Sequence, residues 1–178
     1  MVETLIGQSR LADVVVISQP AIGRHLPEHP LPIVGDVVLH TSAPVLVVPI
    51  GGRRFEADGA VMLAWNGSAE AAHAMRLTVP LLRRAACVHI VEVSDESPGM
   101  PATDAATYLA RHGVPCEVHE WPAKGRRTSL ALLHAVAELD ARYLVMGAYG
   151  HSRLRETVLG GVTRDLIQST TVPLLLAH

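Results

Sequence analysis

From Gly59 to His178 five strand-like runs are separated by four stretches of helical spacing. The runs are Ala60 to Trp65, Cys87 to Val93, Val114 to Trp121, Tyr143 to Gly147 and Val172 to Ala177. Ser68 can cap a helix reaching about Arg84, with Ala71, Ala72, Met75, Val79 and Leu82 on one side. Pro80 lies inside that stretch and predicts a kink or an early break. Thr103 can cap a helix to His112, which Gly113 closes. Ser129 to Leu139 places Leu130, Leu133, Val136 and Ala137 on one face, and Gly161 to Gln168 carries a weaker stripe. Strands alternating with helices predict an α/β fold with a parallel sheet covered on both faces. Right-handed crossovers leave few ways to thread it.

The first 50 residues repeat the end of the chain. A slide of 129 positions, from Leu46 to Leu175, aligns the two without a gap. Ala12 falls on Ala141, Arg24 on Arg153, Asp36 on Asp165, Thr41 on Thr170 and Pro44 on Pro173. The strand-like Val14–Ile17 falls on Tyr143–Met146, and Val45–Val48 on Leu174–Ala177, with a helix expected over Gly35 to His40. Internal duplication is the natural explanation. Pro49 to Arg54 reads as a linker.

The chemistry-bearing stretch is Met146-Gly147-Ala148-Tyr149-Gly150, followed by a basic excursion with Arg153 and Arg155 and then Gly160-Gly161-Val162-Thr163. Its order is strand, glycine turn, loop, glycine pair, helix. That gathers bare backbone N–H groups and the positive end of a helix dipole, a setting for a phosphate. The glycines equally suit a tight strand-to-helix connection. The first copy has Ser18, Ala21 and Leu31 opposite Gly147, Gly150 and Gly160, so it keeps the scaffold without the glycines.

The spacing Gly-x2-Gly-x9-Gly resembles the nucleotide-binding signature of the universal stress protein family. The resemblance covers Gly59 to His178 as a complete domain, and residues 11–50 as the last third of another. It implies an open five-stranded parallel sheet of order 3-2-1-4-5, of the adenine nucleotide alpha-hydrolase type, with helices on both faces. An extra strand-helix-strand segment comes from the partial repeat. The expected boundaries are 1–52 for the partial domain with its linker and 53–178 for the complete one. The resemblance also implies a ligand, ATP or another adenine nucleotide, with or without Mg. Its site is expected at the switch point of the sheet, formed by Ala64, Asn66, Val93, Met146, Gly147, Gly150, Gly160, Gly161, Val162 and Thr163.

The sequence departs from the family pattern twice. Gly161 stands where a Ser or Thr usually follows the third glycine, and Asn66 where an Asp is usual. Asn66 keeps an acceptor without the charge, and Asn66-Gly67-Ser68 is also an ordinary turn leading into a helix cap. The family's last strands pair between domains or chains. This implies a homodimer through last-strand pairing, although Val172 to Ala177 and Val45 to Val48 could also pair within one chain. A module of assembly rather than of nucleotide binding is the alternative function.

Other functions find little support. A net charge of −2 gives no electrostatic footing for nucleic acid. Apolar runs are too short to span a bilayer, so no membrane role is expected. Cys87 and Cys116 are too few for a disulfide framework, and no charged leader precedes an apolar stretch, so a cytoplasmic setting is expected. Ten histidines show no metal-ligand spacing in the linear sequence: His25 and His29 are separated by Pro27, His151 is expected in solvent and His178 is terminal. No metal site and no catalytic residue is assigned. No Walker lysine or nucleophile elbow is present, so slow ATP hydrolysis is the most that can be expected of the chain as an enzyme. Lys124 to Arg127 reads as a basic solvated loop.

Overall fold

The computed structural model describes residues 2–19, 31–93, 99–150 and 161–178. Its elements are α1 (Val2–Gln8), a 3-10 turn (Ser9–Leu11), β1 (Val15–Ser18), α2 (Leu31–His40), β2 (Val45–Val48), β3 (Val61–Trp65) and α3 (Ala69–Leu82). They continue with β4 (Val88–Val93), α4 (Ala102–Arg111), β5 (Cys116–Trp121), α5 (Thr128–Glu138), β6 (Tyr143–Gly147), α6 (Gly161–Ser169) and β7 (Leu174–Ala177).

The seven strands form one sheet in the order β1-β2-β7-β6-β3-β4-β5. The strands of the complete unit, β3 to β7, take the expected order 3-2-1-4-5, and every pairing among them is parallel. Strand residues alternate between two cores, as a pleated sheet covered on both faces requires. Leu144 and Met146 of β6 join Val37 of α2, Leu132 of α5 and Leu166 of α6 on one face. Tyr143 and Val145 join Ala74 of α3 and Leu109 of α4 on the other. Near-continuous burial of β6 and β7 explains why these strands read as unbroken apolar runs.

The partial copy docks onto the sheet rather than standing apart. β1 pairs with β2 in parallel at Val15↔Val45, and β6 pairs with β7 at Leu144↔Leu174, the same register displaced by 129 positions. β2 then pairs antiparallel with β7: Val45↔Leu176, Leu46↔Leu175, Val47↔Leu174. Leu46 and Leu175 are related by the same 129-residue displacement and pair with each other at the centre of this ladder. The join is reinforced by the buried Gln19, whose amide donates to Ile167 O at 2.8 Å while its oxygen accepts from Ile50 N at 3.1 Å.

Several local expectations are corrected. β7 is flanked by β2 and β6, so the last-strand pairing expected between two chains occurs inside one. α3 neither stops nor breaks at Pro80. The proline sits in the last turn, where only one helical bond is lost, and Arg83 N still donates to Val79 O. α4 begins at Ala102 behind Pro101, so Thr103 lies inside the helix rather than capping it. α2 begins at Leu31, four residues before the expected Gly35, and α1 was not expected at all. Among the described residues no helix is long and apolar enough to cross a membrane.

Candidate functional site

A cavity of about 310 Å³ opens at the carboxyl ends of β3, β4 and β6. It sits where strand order reverses between β3 and β6, the switch point of an open α/β sheet. Ala64, Trp65 and Asn66 follow β3 into it, Val93 ends β4, and Met146 and Gly147 end β6. Gly150 lies on the turn after β6, and Gly161, Val162 and Thr163 form the first turn of α6. Every expected site residue except Gly160 therefore lines this one cavity. Gly160 and the arginines Arg153 and Arg155 lie outside the described residues.

Three helix N-termini face the cavity: α3 through Ala71, α5 through Thr128 and α6 through Gly161. A helix start carries unpaired N–H groups and a partial positive charge. At α3 the cap is local, because Ser68 Oγ accepts from Ala71 N at 3.1 Å. At α5 the residue before the helix is Arg127, which makes no side-chain cap. Instead Arg127 and Ser129 both bond Asp165 Oδ2, at 2.8 and 3.0 Å, which pins α5 to α6. Lys124, Arg126 and Arg127 are all exposed, as a solvated loop requires, and Arg127 also reaches across to α6.

Asn66 Oδ1 accepts from Ser68 N at 3.2 Å, closing an Asx turn, and Gly67 has φ +70. Gly67 has to be glycine, since a Cβ there would meet the backbone of Gly99 and Met100 in a conformation that L residues avoid. Trp65 completes this corner by donating its indole N–H to Met100 O at 2.7 Å. Asn66 thus uses its oxygen inside the turn and has its amide N–H groups left to offer.

The glycines differ in their reasons. A Cβ on Gly147 would collide with the backbone of Glu70 and Ala71, so this residue lets the end of β6 pass against the first turn of α3. A Cβ on Gly150 would lie 2.7 Å from Glu70 Oε2, a side chain that can move. A Cβ on Gly161 would meet nothing within 4 Å. Close packing therefore accounts for Gly147, while Gly161 leaves open space at a helix start.

Trp65 and Tyr149 lie within the two stretches expected at the switch point, whereas sequence reasoning missed Ala71, Thr128 and Leu132 in the wall. Thr128 and Leu132 had no local signal, because α5 reaches the cavity only through the fold. Tyr149 adopts φ 66, left-handed for a bulky residue. Its hydroxyl is buried without a hydrogen-bond partner among the described residues. Burial pushes its pKa up to about 12, and the Asp36 carboxylate adds to the rise.

The fold and cavity together define the class, an open α/β protein with a cavity at its switch point. Residues 106–178 match the Universal stress protein family model. The chain is 30% identical over 148 residues to the universal stress protein Slr1230 of Synechocystis, across 78% of this chain and 48% of that protein. A universal stress protein from Archaeoglobus fulgidus superposes with a TM-score of 0.73 at 18% identity, over 99% of this chain and 66% of that one. Another, in complex with cAMP, superposes with a TM-score of 0.53 at 21% identity, over 67% of this chain and 96% of that one. The chain belongs to the universal stress protein family. It spans about half the length of the Synechocystis relative.

Proposed function

We propose that the chain is an adenine-nucleotide-binding module of the universal stress type, with residues 53–178 as the complete domain and residues 1–52 as a partial second copy. The observation that carries this reading is the convergence of three helix N-termini and a glycine turn on one switch-point cavity. Its size falls near the low end of small-molecule sites, roughly 300–1,000 Å³. Ala64, Val93, Leu132 and Met146 offer an apolar wall for a base. The amides of Gly150, Gly161 and Val162 offer donors for phosphate oxygens. The relative in complex with cAMP supports an adenine nucleotide as the ligand class. Among the described residues the carboxylate against the cavity wall is that of Glu70, beside Gly150, and we read the module as a binder rather than a catalyst. Two free cysteines fit a reducing compartment, and we read the module as cytoplasmic.

Glu70 sets the electrostatics of the rim, because its carboxylate lies against Gly150. A bare polyphosphate would be repelled there, and Mg²⁺ between the two would relieve it. Calorimetric titration with ATP should show sub-millimolar affinity that improves when Mg²⁺ replaces chelator. Glu70→Gln should remove that preference. No binding of ATP, AMP or cAMP at sub-millimolar concentration overturns the reading.

The second reading, an assembly module, rests on the free edge of β1. Among the described residues β1 has one neighbour, β2, and its Val16 side is 61% exposed. An open apolar strand edge invites pairing. Since β7 is already paired on both sides, any homodimer is proposed to form through β1. Light scattering at micromolar concentration should return twice the chain mass, and a monomer counts against it.

A further inference from the structure

We propose that Cys87, His89, Glu117 and His119 form a binding site for a divalent transition-metal ion of the zinc class, on the opposite end of the sheet from the nucleotide cavity. Nothing in the linear sequence shows it, because the donors come as Cys-x-His before and on β4 and Glu-x-His on β5. The parallel register sets His89 opposite Glu117 and Val91 opposite His119. Residues two apart share a strand face, so all four donors project from one face at the N-terminal ends of the two strands.

The spacing matches a coordination shell. His89 Nδ1 lies 3.1 Å from His119 Nε2. Glu117 Oε2 lies 3.4 Å from His89 Nδ1 and 3.6 Å from His119 Nε2. Tetrahedral nitrogen and oxygen ligands at about 2.0–2.1 Å from zinc stand about 3.3 Å apart. Cys87 Sγ is 3.9 Å from His89 Nδ1, against about 3.6 Å for a sulfur–nitrogen edge of the same shell. Cys87, His89 and Glu117 present donor atoms that all lie within 4.8 Å of one another, and His119 joins this group through His89 and Glu117 rather than through Cys87, so it would have to close towards the thiol on binding.

Charge and softness agree with the geometry. Two imidazoles and a thiolate select borderline-soft ions over Mg²⁺ or Ca²⁺. One carboxylate and one thiolate neutralise a divalent ion, so a half-buried site would hold no net charge. The His89 side chain is only 12% exposed, and burial together with His119 lowers its pKa. A neutral ring keeps a lone pair available. Without a cation, the His89–His119 contact is an N–H···N hydrogen bond with one ring donating. A metal ion would use both nitrogens once the donating ring shifts its proton to its other nitrogen, and Cys87 would release its proton to solvent on binding.

Titration of the chelator-treated full chain with Co²⁺ tests the proposal. The expected result is one equivalent bound, with tetrahedral d–d absorption and a thiolate-to-cobalt charge-transfer band, both displaced by Zn²⁺. Cys87→Ser should abolish the charge-transfer band, and His89→Gln with His119→Gln should weaken binding at least tenfold. A measurement on the unaltered chain guards against misfolded variants: Zn²⁺ should slow alkylation of Cys87 and leave Cys116, on the other strand face, unchanged. Absence of one-to-one binding overturns the site, as does equal binding by the double histidine variant or equal protection of both cysteines.

Discussion

A single side-chain volume separates the two roles of glycine around the cavity. Gly147→Val should destabilise the fold by about 1–3 kcal/mol or more, because its new atoms meet main chain that cannot step aside. Chemical denaturation would show it as a lower midpoint, whether or not nucleotide is present. Gly161→Asp should do the reverse. An acid in the first turn of α6 is favourable for the helix by about 0.3–1 kcal/mol, so stability should hold or rise. Yet the same charge, in open space facing the cavity, should weaken nucleotide binding at least tenfold. Opposite signs from one substitution are hard to obtain by general damage. A third residue-scale effect lies in the core. Tyr143 is fully buried beside Phe55, and its hydroxyl has no hydrogen-bond partner among the described residues. Burial raises its pKa to about 12 from the usual 10. The unfolded chain therefore loses this proton first. Stability is fully present below pH 10 and falls as pH rises towards 12, by something of the order of 2 kcal/mol from this group. Tyr143→Phe should flatten that alkaline loss in denaturation curves recorded from pH 9 to pH 12, and should cost little at neutral pH.

At the scale of elements, the ladder between β2 and β7 is what makes one sheet of two unequal parts. Leu46 is 6% exposed and faces its own counterpart Leu175. Leu46→Asp should release the first 50 residues, and hydrogen exchange should then rise in β1 and β2 while β3 to β6 stay protected. Removing residues 1–52 should leave β7 with a bare edge and give a concentration-dependent dimer. A chain that stays monomeric after that deletion would remove the ladder from any role in assembly. The strands were the most legible part of the sequence, since a parallel strand buried on both faces has to be apolar along its length. The likeness of the first 50 residues to the end of the chain was equally plain, and the same 129-residue displacement recurs in the strand registers. What lay between elements was not legible. The collision that requires Gly147 involves the backbone of α3, far away in sequence. Thr128 lines the cavity from α5, an element far from β3 in sequence. His89 and His119 meet only through the register of β4 and β5. The helix expected to begin behind a Thr103 cap begins at Ala102, behind Pro101, which makes no side-chain cap.

For the molecule as a whole, the α/β sheet supplies a rigid platform, and the two ends of its strands are put to different uses. Carboxyl ends converge on helix N-termini and a cavity, while the opposite end of β4 and β5 holds the histidine–cysteine cluster. The central claim is that the cavity at the carboxyl ends receives an adenine nucleotide through main-chain amides. Two-dimensional amide NMR of the full chain, titrated with ATP and Mg²⁺, reads those amides directly. The expected result is a saturable displacement of the resonances of Asn66, Thr128, Gly150, Gly161 and Val162, with those of Glu117 and His119 on β5 unmoved. No displacement at millimolar nucleotide, or a displacement confined to residues outside the cavity wall, would contradict it.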